Sequence, residues 1–498
     1  LNAYAAAHPG EVKYKQAFPF DEKEYMTAVV FSISLFCGVD QVLPQILGGK
    51  VATIPGFNTD GSNAFAMNSI KTTTGESFLA VNAHQPNTGP VAFYEAHLQS
   101  EQGWNMLGGL FPGGCLIFHG TNENLGWAHT VNYQDKIDVY QLEMNPSNKN
   151  QYKFDGQWVN LEEDKAKLKV KGIPVTIGKK IWWSKYGATV KTDKGVFSMR
   201  VPATMDIKAL EQWYRMNKAK NFNEFYKAIS MTSLPMFNIT YADRYDTIFY
   251  ISNGKMPRRN PDRQYNWKST LPGNTSATLW SEFKLVGELP QYINPASGYL
   301  FNTNHSPFLA TDVKYNLDRT KFDKNDGYET YHNNRSQRFT ELINGDKVDY
   351  NRFKKIKFDQ QLPKELKYIY GIDSMFNMNA DANPDLKDII STFQAWDRKA
   401  TIESKGAAIF LLVYHFLADK LKGSAPRQIT RTEAAETYQY VYNHMMKYFG
   451  RTDLTLGDIQ KLVRGDDVRP AWGFPDVLTP SFTEVYKDGM RKVTGGDA

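Results

Sequence analysis

A glycine followed by a serine, Gly61-Ser62 in the stretch Asp60-Gly61-Ser62-Asn63-Ala64-Phe65-Ala66, is where residue types and spacing offer a nucleophile. As it stands, the pair reads as a turn leading into a strand. Opening the peptide bond between the two residues changes the chemistry. Ser62 would then carry a hydroxyl and a free α-amine on one residue. That amine, with a pKa of about 7.7–8.0, is partly neutral near physiological pH and can take the hydroxyl proton without help from a His–Asp pair. Glycine at 61 suits such a cut because it tolerates the strained geometry of an N-to-O acyl shift. The other short catalytic signatures are missing: Cys-x-x-Cys, His-Glu-x-x-His, Gly-x-Ser-x-Gly, and dinucleotide or phosphate loops.

The elements that must position this serine can be read from the punctuation of the chain. Before it, Asp21 is placed to cap a helix running through Met26 to about Phe36. Gly48-Gly49-Lys50 and Pro55 through Gly61 then form an extended, exposed linker. From Ser62 the texture changes to short strand-type runs at Asn63–Ile70, Ser77–Asn82, Val91–Leu98, Cys115–His119 and Trp127–Asn132. They are separated by Gly, Pro and Asn, as in an antiparallel sheet of close hairpins. Residues 150–200 continue as an appended β-module. A helix is expected over Ile207–Met231, where Leu210, Trp213, Met216 and Phe222 keep a loose helical period. Further strands lead to about residue 310, and residues 333–450 are mainly helical, with Arg335–Ile343, Asp385–Ala395, Lys405–Lys422 and Thr432–Phe449 as the helices. Strands, a helical region and further strands give an α+β class rather than a βαβ ladder.

The 498 residues carry a net charge of +6 with no Lys/Arg run beyond short pairs, which is not the concentrated basic face of a nucleic-acid binder. A hydrophobic content of 41% supports a sizeable core, so wholesale disorder is excluded. The longest apolar runs, Thr27–Phe36 and Ala407–Ala418, fall short of the roughly 20 residues that span a bilayer. The two cysteines, Cys37 and Cys115, cannot build a disulfide framework or a four-ligand zinc site. Both ends read as cut: Leu1–Ala7 starts inside a helix, and Val493–Ala498 stops at a turn signal that should lead into a strand.

Several motifs in order make the chain recognisable. They are Asn2-Ala3-Tyr4-Ala5-Ala6-Ala7-His8-Pro9, Gly61–Ala66, Leu125-Gly126-Trp127-Ala128-His129-Thr130-Val131, Tyr299 through Pro307, Leu462-Val463-Arg464-Gly465-Asp466 and Pro475-Asp476-Val477-Leu478. In these, almost the whole chain resembles the penicillin amidase family of N-terminal-nucleophile hydrolases, especially the branch of acyl-homoserine lactone and aculeacin acylases. The resemblance implies a four-layer αββα core. Residues 1–61 would be the C-terminal part of a small chain plus linker, and 62–498 a large chain lacking its last strands. The two would associate as a heterodimer after cleavage at Gly61-Ser62, in the periplasm or outside the cell.

The resemblance also assigns roles. Ser62 matches the nucleophile. His84 sits where this branch has a histidine near it, its ring or backbone carbonyl holding the amine or the substrate; alone it would read as a turn residue. Val131 matches the backbone N–H of an oxyanion hole and Asn304 the side-chain half, with Asn302 the alternative if the alignment slips by two. Losing one such donor typically costs roughly a hundredfold in rate or more. Arg335 matches an arginine that positions the asparagine and amine. Phe36 aligns with an aromatic of the acyl pocket, though an aromatic in an apolar helix is ordinarily core. Asp135-Lys136-Ile137-Asp138 resembles a calcium-ligating run, with the Ile137 carbonyl between two carboxylates. The implied Ca²⁺ is structural, no cofactor serves catalysis, and two aspartates fall short of the about six to eight oxygens such an ion takes. The implied activity is hydrolysis of small-molecule N-acyl amides, acyl-homoserine lactones first. The rivals are a β-lactam acylase of the cephalosporin or penicillin type, and a catalytically silent binding protein that keeps the fold.

Overall fold

The computed structural model describes residues 1–48, 61–168, 175–261, 265–368 and 370–497. Most of the linker expected before Ser62, residues 49–60, lies outside these described residues. Ahead of it stand helices α1 (Glu22–Phe36) and α2 (Val39–Leu47). Asp21 starts α1 as expected: its carboxylate accepts the Glu24 N–H at 2.7 Å while the Glu24 carboxylate accepts the Asp21 N–H at 3.0 Å. Such a reciprocal cap is worth about 1 kcal/mol.

The strands around the site are β1 (Ser62–Met67), β2 (Phe78–Ala83), β3 (Leu125–Thr130), β4 (Asn238–Asp243), β5 (Ile248–Ser252) and β6 (Tyr299–Asn302). β1 is the centre of a three-stranded antiparallel sheet ordered β6-β1-β2. A seven-stranded sheet runs Gln291–Ile293, β5, β4, β3, His119–Thr121, Trp104–Leu110, Tyr94–Ser100. The two sheets face each other because their strands alternate by type. Ala66 and Leu300 of the small sheet meet Ala242, Ile248 and Tyr250 of the large one. The opposite set of β1, Phe65 and Met67, packs outward with Phe339 and Ile343 of a helix over Asn334–Ile343. On the far side of the large sheet, Ile239, Tyr241, Phe249 and Ile251 pack on Trp213, Met216 and Phe225. Helix, sheet, sheet, helix is the expected αββα order. With a side-chain period of two, Ser62 shares the inward face of Ala64 and Ala66.

The single helix expected over Ile207–Met231 is two, α3 (Ala209–Lys218) and α4 (Phe222–Ile229). The break follows from Asn221, whose side chain accepts the Glu224 N–H and starts a new helix. Of the run expected at Cys115–His119, only His119 is strand, as the first residue of His119–Thr121, since the Pro112-Gly113-Gly114 turn displaces the pairing. The β-module is present as a six-stranded sheet ordered Glu162–Leu168, Ile177–Ser184, Gly187–Thr192, Gly195–Arg200, Asp138–Leu142, Leu271–Pro272.

The helical region is built on α5 (Asn334–Ile343), α6 (Lys405–Lys420) and α7 (Arg431–Phe449), with shorter helices between. At the end of the chain the expected turn is a correction. Arg491–Gly496 is a strand paired with Ser481–Val485. The glycines mark close approaches there, not a turn: a Cβ on Gly495 would lie 2.8 Å from the Gln85 carbonyl oxygen.

Candidate active site

Ser62 opens β1 and is 3% exposed. Its N–H donates to Asn304 Oδ1 at 2.7 Å. Asn304 follows β6 in the left-handed region, at φ 64°, a conformation asparagine adopts more readily than most residues. Its own N–H donates to Asn302 Oδ1 at 2.8 Å, and its Nδ2 donates to the Val131 carbonyl at 2.7 Å. Asn302 Oδ1 accepts also from Thr130 Oγ1 at 2.5 Å and from Asn238 Nδ2 at 3.2 Å. Tyr250 closes this network by donating to Asn238 Oδ1. Asn302, the alternative to Asn304, is thus the post on which Asn304 is set. Four strands, β1, β3, β4 and β6, meet at this point.

Arg335 lies beneath, 1% exposed, in the first turn of α5. Its Nη1 donates to the Ser62 carbonyl at 2.8 Å, to Asn63 Oδ1 at 2.9 Å and to Asn304 Oδ1 at 3.1 Å. Its Nε donates to Asp476 Oδ1 at 2.9 Å. The second Asp476 oxygen accepts from the N–H and Nδ2 of Asn334. A solvated helix-start charge would look nothing like this: the guanidinium is buried and donates to Ser62, Asn63, Asn304 and Asp476. Asp476 has no role in the sequence reading. A buried aspartate within Phe474-Pro475-Asp476-Val477-Leu478 signals that a partner exists, but not which one.

His84 joins the site through its main chain. Its N–H donates to the Gly61 carbonyl at 3.0 Å, whereas neither ring nitrogen has a hydrogen-bond partner. Burial, with Arg335 and Lys357 nearby, pushes the imidazole well below its usual pKa, so the ring is neutral. Gly61 itself is packed against Asn304. A Cβ there would stand 1.9 Å from Asn304 Oδ1 and 3.0 Å from Arg335 Nη2. The absence of a side chain at 61 is what allows this close approach.

Beside Ser62 a small void is bordered by Val131, His119, His129 and Gln85. Phe36, Phe111, Phe118 and Phe237 wall it and also wall an apolar cavity of about 550 Å³. α1 forms one side of that cavity with Val29, Ile33 and Phe36, and Trp213 of α3 lies opposite. The ring of Phe36 is centred 5.8 Å from both Phe111 and Phe237. Among the described residues lining the cavity there is no lysine or arginine.

Asp135, Ile137 and Asp138 form a different cluster, gathered around Arg259. The guanidinium sits 3.1 Å from Asp135 Oδ1 and 3.1 Å from Asp138 Oδ2. Among the described residues no group of three or more His, Cys, Asp or Glu is placed to hold a metal ion, and no single helix is long and apolar enough to cross a membrane. The donor set does not fit calcium, because the gap between the two carboxylates is filled by a cationic side chain.

With this geometry in view, the chain can be set beside known proteins. The description of the penicillin amidase family matches residues 2–489. The chain is 24% identical over 373 residues to the acyl-homoserine lactone acylase PvdQ of Pseudomonas fluorescens (strain Pf0-1), covering 69% of this chain and 47% of that relative. It is 27% identical to the penicillin G acylase of Escherichia coli over 212 residues, 41% of this chain and 24% of the relative. It thus spans about half the length of PvdQ or less of the other relatives. Among solved structures it resembles the thermostable penicillin G acylase from Alcaligenes faecalis, with a TM-score of 0.58 at 20% identity, covering 75% of this chain and 66% of that one. That likeness speaks for the fold. A match running through nearly every residue, over a fold of the same kind, leads to one conclusion: the chain belongs to the penicillin amidase family.

Proposed function

We propose that the chain belongs to a hydrolase of N-acyl amides, and that Ser62 is its nucleophile. The observation that carries this reading is the placing of Ser62: it is held by Asn304 and Arg335 on one side and on the other borders a small void that shares four phenylalanine walls with the apolar cavity. The first reaction is on the chain itself. Ser62 Oγ attacks the Gly61 carbonyl carbon while the His84 N–H, already on the Gly61 oxygen, stabilises the developing charge. The Gly61–Ser62 C–N bond breaks, an ester forms, and water hydrolyses it. A small chain ending at 61 and a large chain starting at 62 remain associated through α1 and the cavity wall.

In the mature protein the Ser62 α-amine stands where its amide N–H now meets Asn304 and takes the Oγ proton during attack on a substrate amide. The Val131 N–H and Asn304 Nδ2 hold the oxyanion. The amine then protonates the leaving nitrogen, and water releases the acid. Arg335, anchored by Asp476, keeps Asn304 Oδ1 turned towards the amine. No catalytic cofactor enters this scheme, and the structural calcium implied by the resemblance is not part of it. A periplasmic or extracellular location belongs to the same reading and is supported by the family resemblance.

The cavity supports a long apolar acyl group, as in the acyl-homoserine lactones named for several relatives. A glutaryl-type acid would want a basic residue in the lining, and none of the described lining residues is basic. Intact mass spectrometry tests the nucleophile. Wild-type precursor should split at Gly61-Ser62, and Ser62→Ala should stay whole and inactive. An uncut wild-type protein that hydrolyses acyl amides would overturn the mechanism, and a split protein inactive on every acyl length would favour the silent binding protein.

A further inference from the structure

The Asp135–Asp138 cluster has a charge balance that the sequence motif does not reveal. Asp135 and Asp138 have side chains 1% and 0% exposed, and that of Arg259 is 2% exposed. Arg259 Nε donates to Asp138 Oδ2 at 3.1 Å. Nη2 donates to the Asp135 carbonyl at 3.0 Å, and Nη1 to the Asn325 carbonyl at 2.7 Å. The Trp280 indole N–H donates to the same Asp138 oxygen at 2.6 Å, and the guanidinium lies 5.5 Å from the centre of the Trp267 ring. Two N–H donors converge on Asp138 Oδ2, the reverse of what a carboxylate oxygen faces when it ligates a cation. A calcium ion takes about six to eight oxygens with room around them. Here the room is taken by a guanidinium that gives one N–H to the Asp138 carboxylate and the others to the Asp135 and Asn325 carbonyls, and that stands 3.1 Å from Asp135 Oδ1.

We propose that Arg259 is the built-in cation of this site. Its guanidinium does for Asp135 and Asp138 what a divalent ion would otherwise have to do, and the fold therefore needs no calcium. The consequence reaches the site through the chain. Residues 131–137, beginning with Val131, connect the end of β3 to the strand Asp138–Leu142 that founds the β-module. Arg259 ties that connection to Asn325, while the Asp135 N–H donates to the Asp326 carbonyl at 2.9 Å. Two charges that would repel across the turn become a clamp. Both Asp135 oxygens and Asp138 Oδ1 receive no hydrogen bond from the described residues, so removing Arg259 would take away the cation that faces them.

The test uses the processed wild-type protein and two variants, with metal content and thermal unfolding as readouts. Wild type should carry no stoichiometric calcium after purification without chelator, and neither EDTA nor millimolar CaCl₂ should move its Tm. Arg259→Ala should unfold at a lower temperature and regain stability as CaCl₂ is added, saturably and more strongly than with MgCl₂, whose octahedral demand the turn meets less well. Asp135→Asn in the Arg259→Ala background should abolish that response. One bound calcium per wild-type chain, or a fall in its Tm with EDTA, would overturn the proposal. So would an Arg259→Ala protein that folds and ignores calcium. Should Arg259→Ala fail to fold, the wild-type metal content and chelator response still decide the matter. Arg259→Lys should remain calcium-independent at reduced Tm, because one ammonium cannot reach Asp138 and the Asp135 and Asn325 carbonyls together.

Discussion

The Ser62 N–H meets Asn304 Oδ1 at 2.7 Å across 242 residues of sequence. The contact leaves no space behind it: the α-carbon of Gly61 backs directly onto the same asparagine. Nucleophile, scissile glycine and Asn304 form one packed unit, and most of what can be tested follows from how little slack it has.

Gly61→Ala places a methyl 1.9 Å from Asn304 Oδ1, a separation no packed atoms sustain. Either Asn304 or the scissile peptide must move. Intact mass should show a single uncut chain where wild type shows two. A variant that splits at the wild-type rate would mean the contact yields freely.

Asp476→Asn removes one partner of a buried ion pair and leaves the Arg335 charge without compensation. Breaking such a pair costs about 3–5 kcal/mol. The exposed pair Lys405–Asp453 should cost about 0–1 kcal/mol when broken. Denaturant titration of Asp476→Asn and Lys405→Ala should separate the two. Equal losses would mean that the Arg335–Asp476 bond is not the anchor described.

Asn302→Ala deprives the Asn304 N–H, Thr130 Oγ1 and Asn238 Nδ2 of a shared acceptor. Asn304 should lose its fixed direction while the apolar cavity stays as it is. We expect kcat on an acyl amide to fall by about 10²-fold, the scale of a misplacement near 1 Å, with KM nearly unchanged. A rise in KM alone would place Asn302 in substrate binding.

The buried His119 and His305 and the half-buried His415 make stability depend on acidity. Burial holds His119 down to about 4, and His305 and His415 to about 3, against an ordinary 6.5. Above pH 6.5 both folded and unfolded chains keep these rings neutral, so their contribution is complete. Below it the unfolded chain binds protons that the folded chain refuses. Stability is lost at about 1.4 kcal/mol per pH unit per histidine until the folded values are reached. Calorimetry from pH 7.5 to 4.5 should show a falling Tm. A flat profile would contradict the burial of these rings.

Ile33→Trp fills part of the cavity from α1. Hydrolysis of long acyl chains should drop at least tenfold, the scale of one methylene or more misfitted in an apolar pocket, while short chains are still cut. Equal losses at every chain length would place the acyl group elsewhere.

What the residues alone determine here is local. Asp21 and Glu24 cap α1 from within one turn. The alternation Ala64-Phe65-Ala66-Met67 makes β1 a strand with a small face and a large one, and ordered motifs single out Ser62, Val131, Asn304 and Arg335. Each of these depends on neighbours a few residues away, or on patterns kept in order along the chain.

The tertiary structure alone decides which distant groups share a charge or a gap. Asp476 is an anonymous aspartate until the fold carries it to Arg335, 141 residues earlier. Asp135 and Asp138 read as cation ligands until Arg259, more than a hundred residues on, arrives between them. Asn302 turns from a rival of Asn304 into its support once β3, β4 and β6 converge. The reason is common to all three: a buried polar atom must find its partner wherever packing brings one, and sequence distance does not enter that requirement.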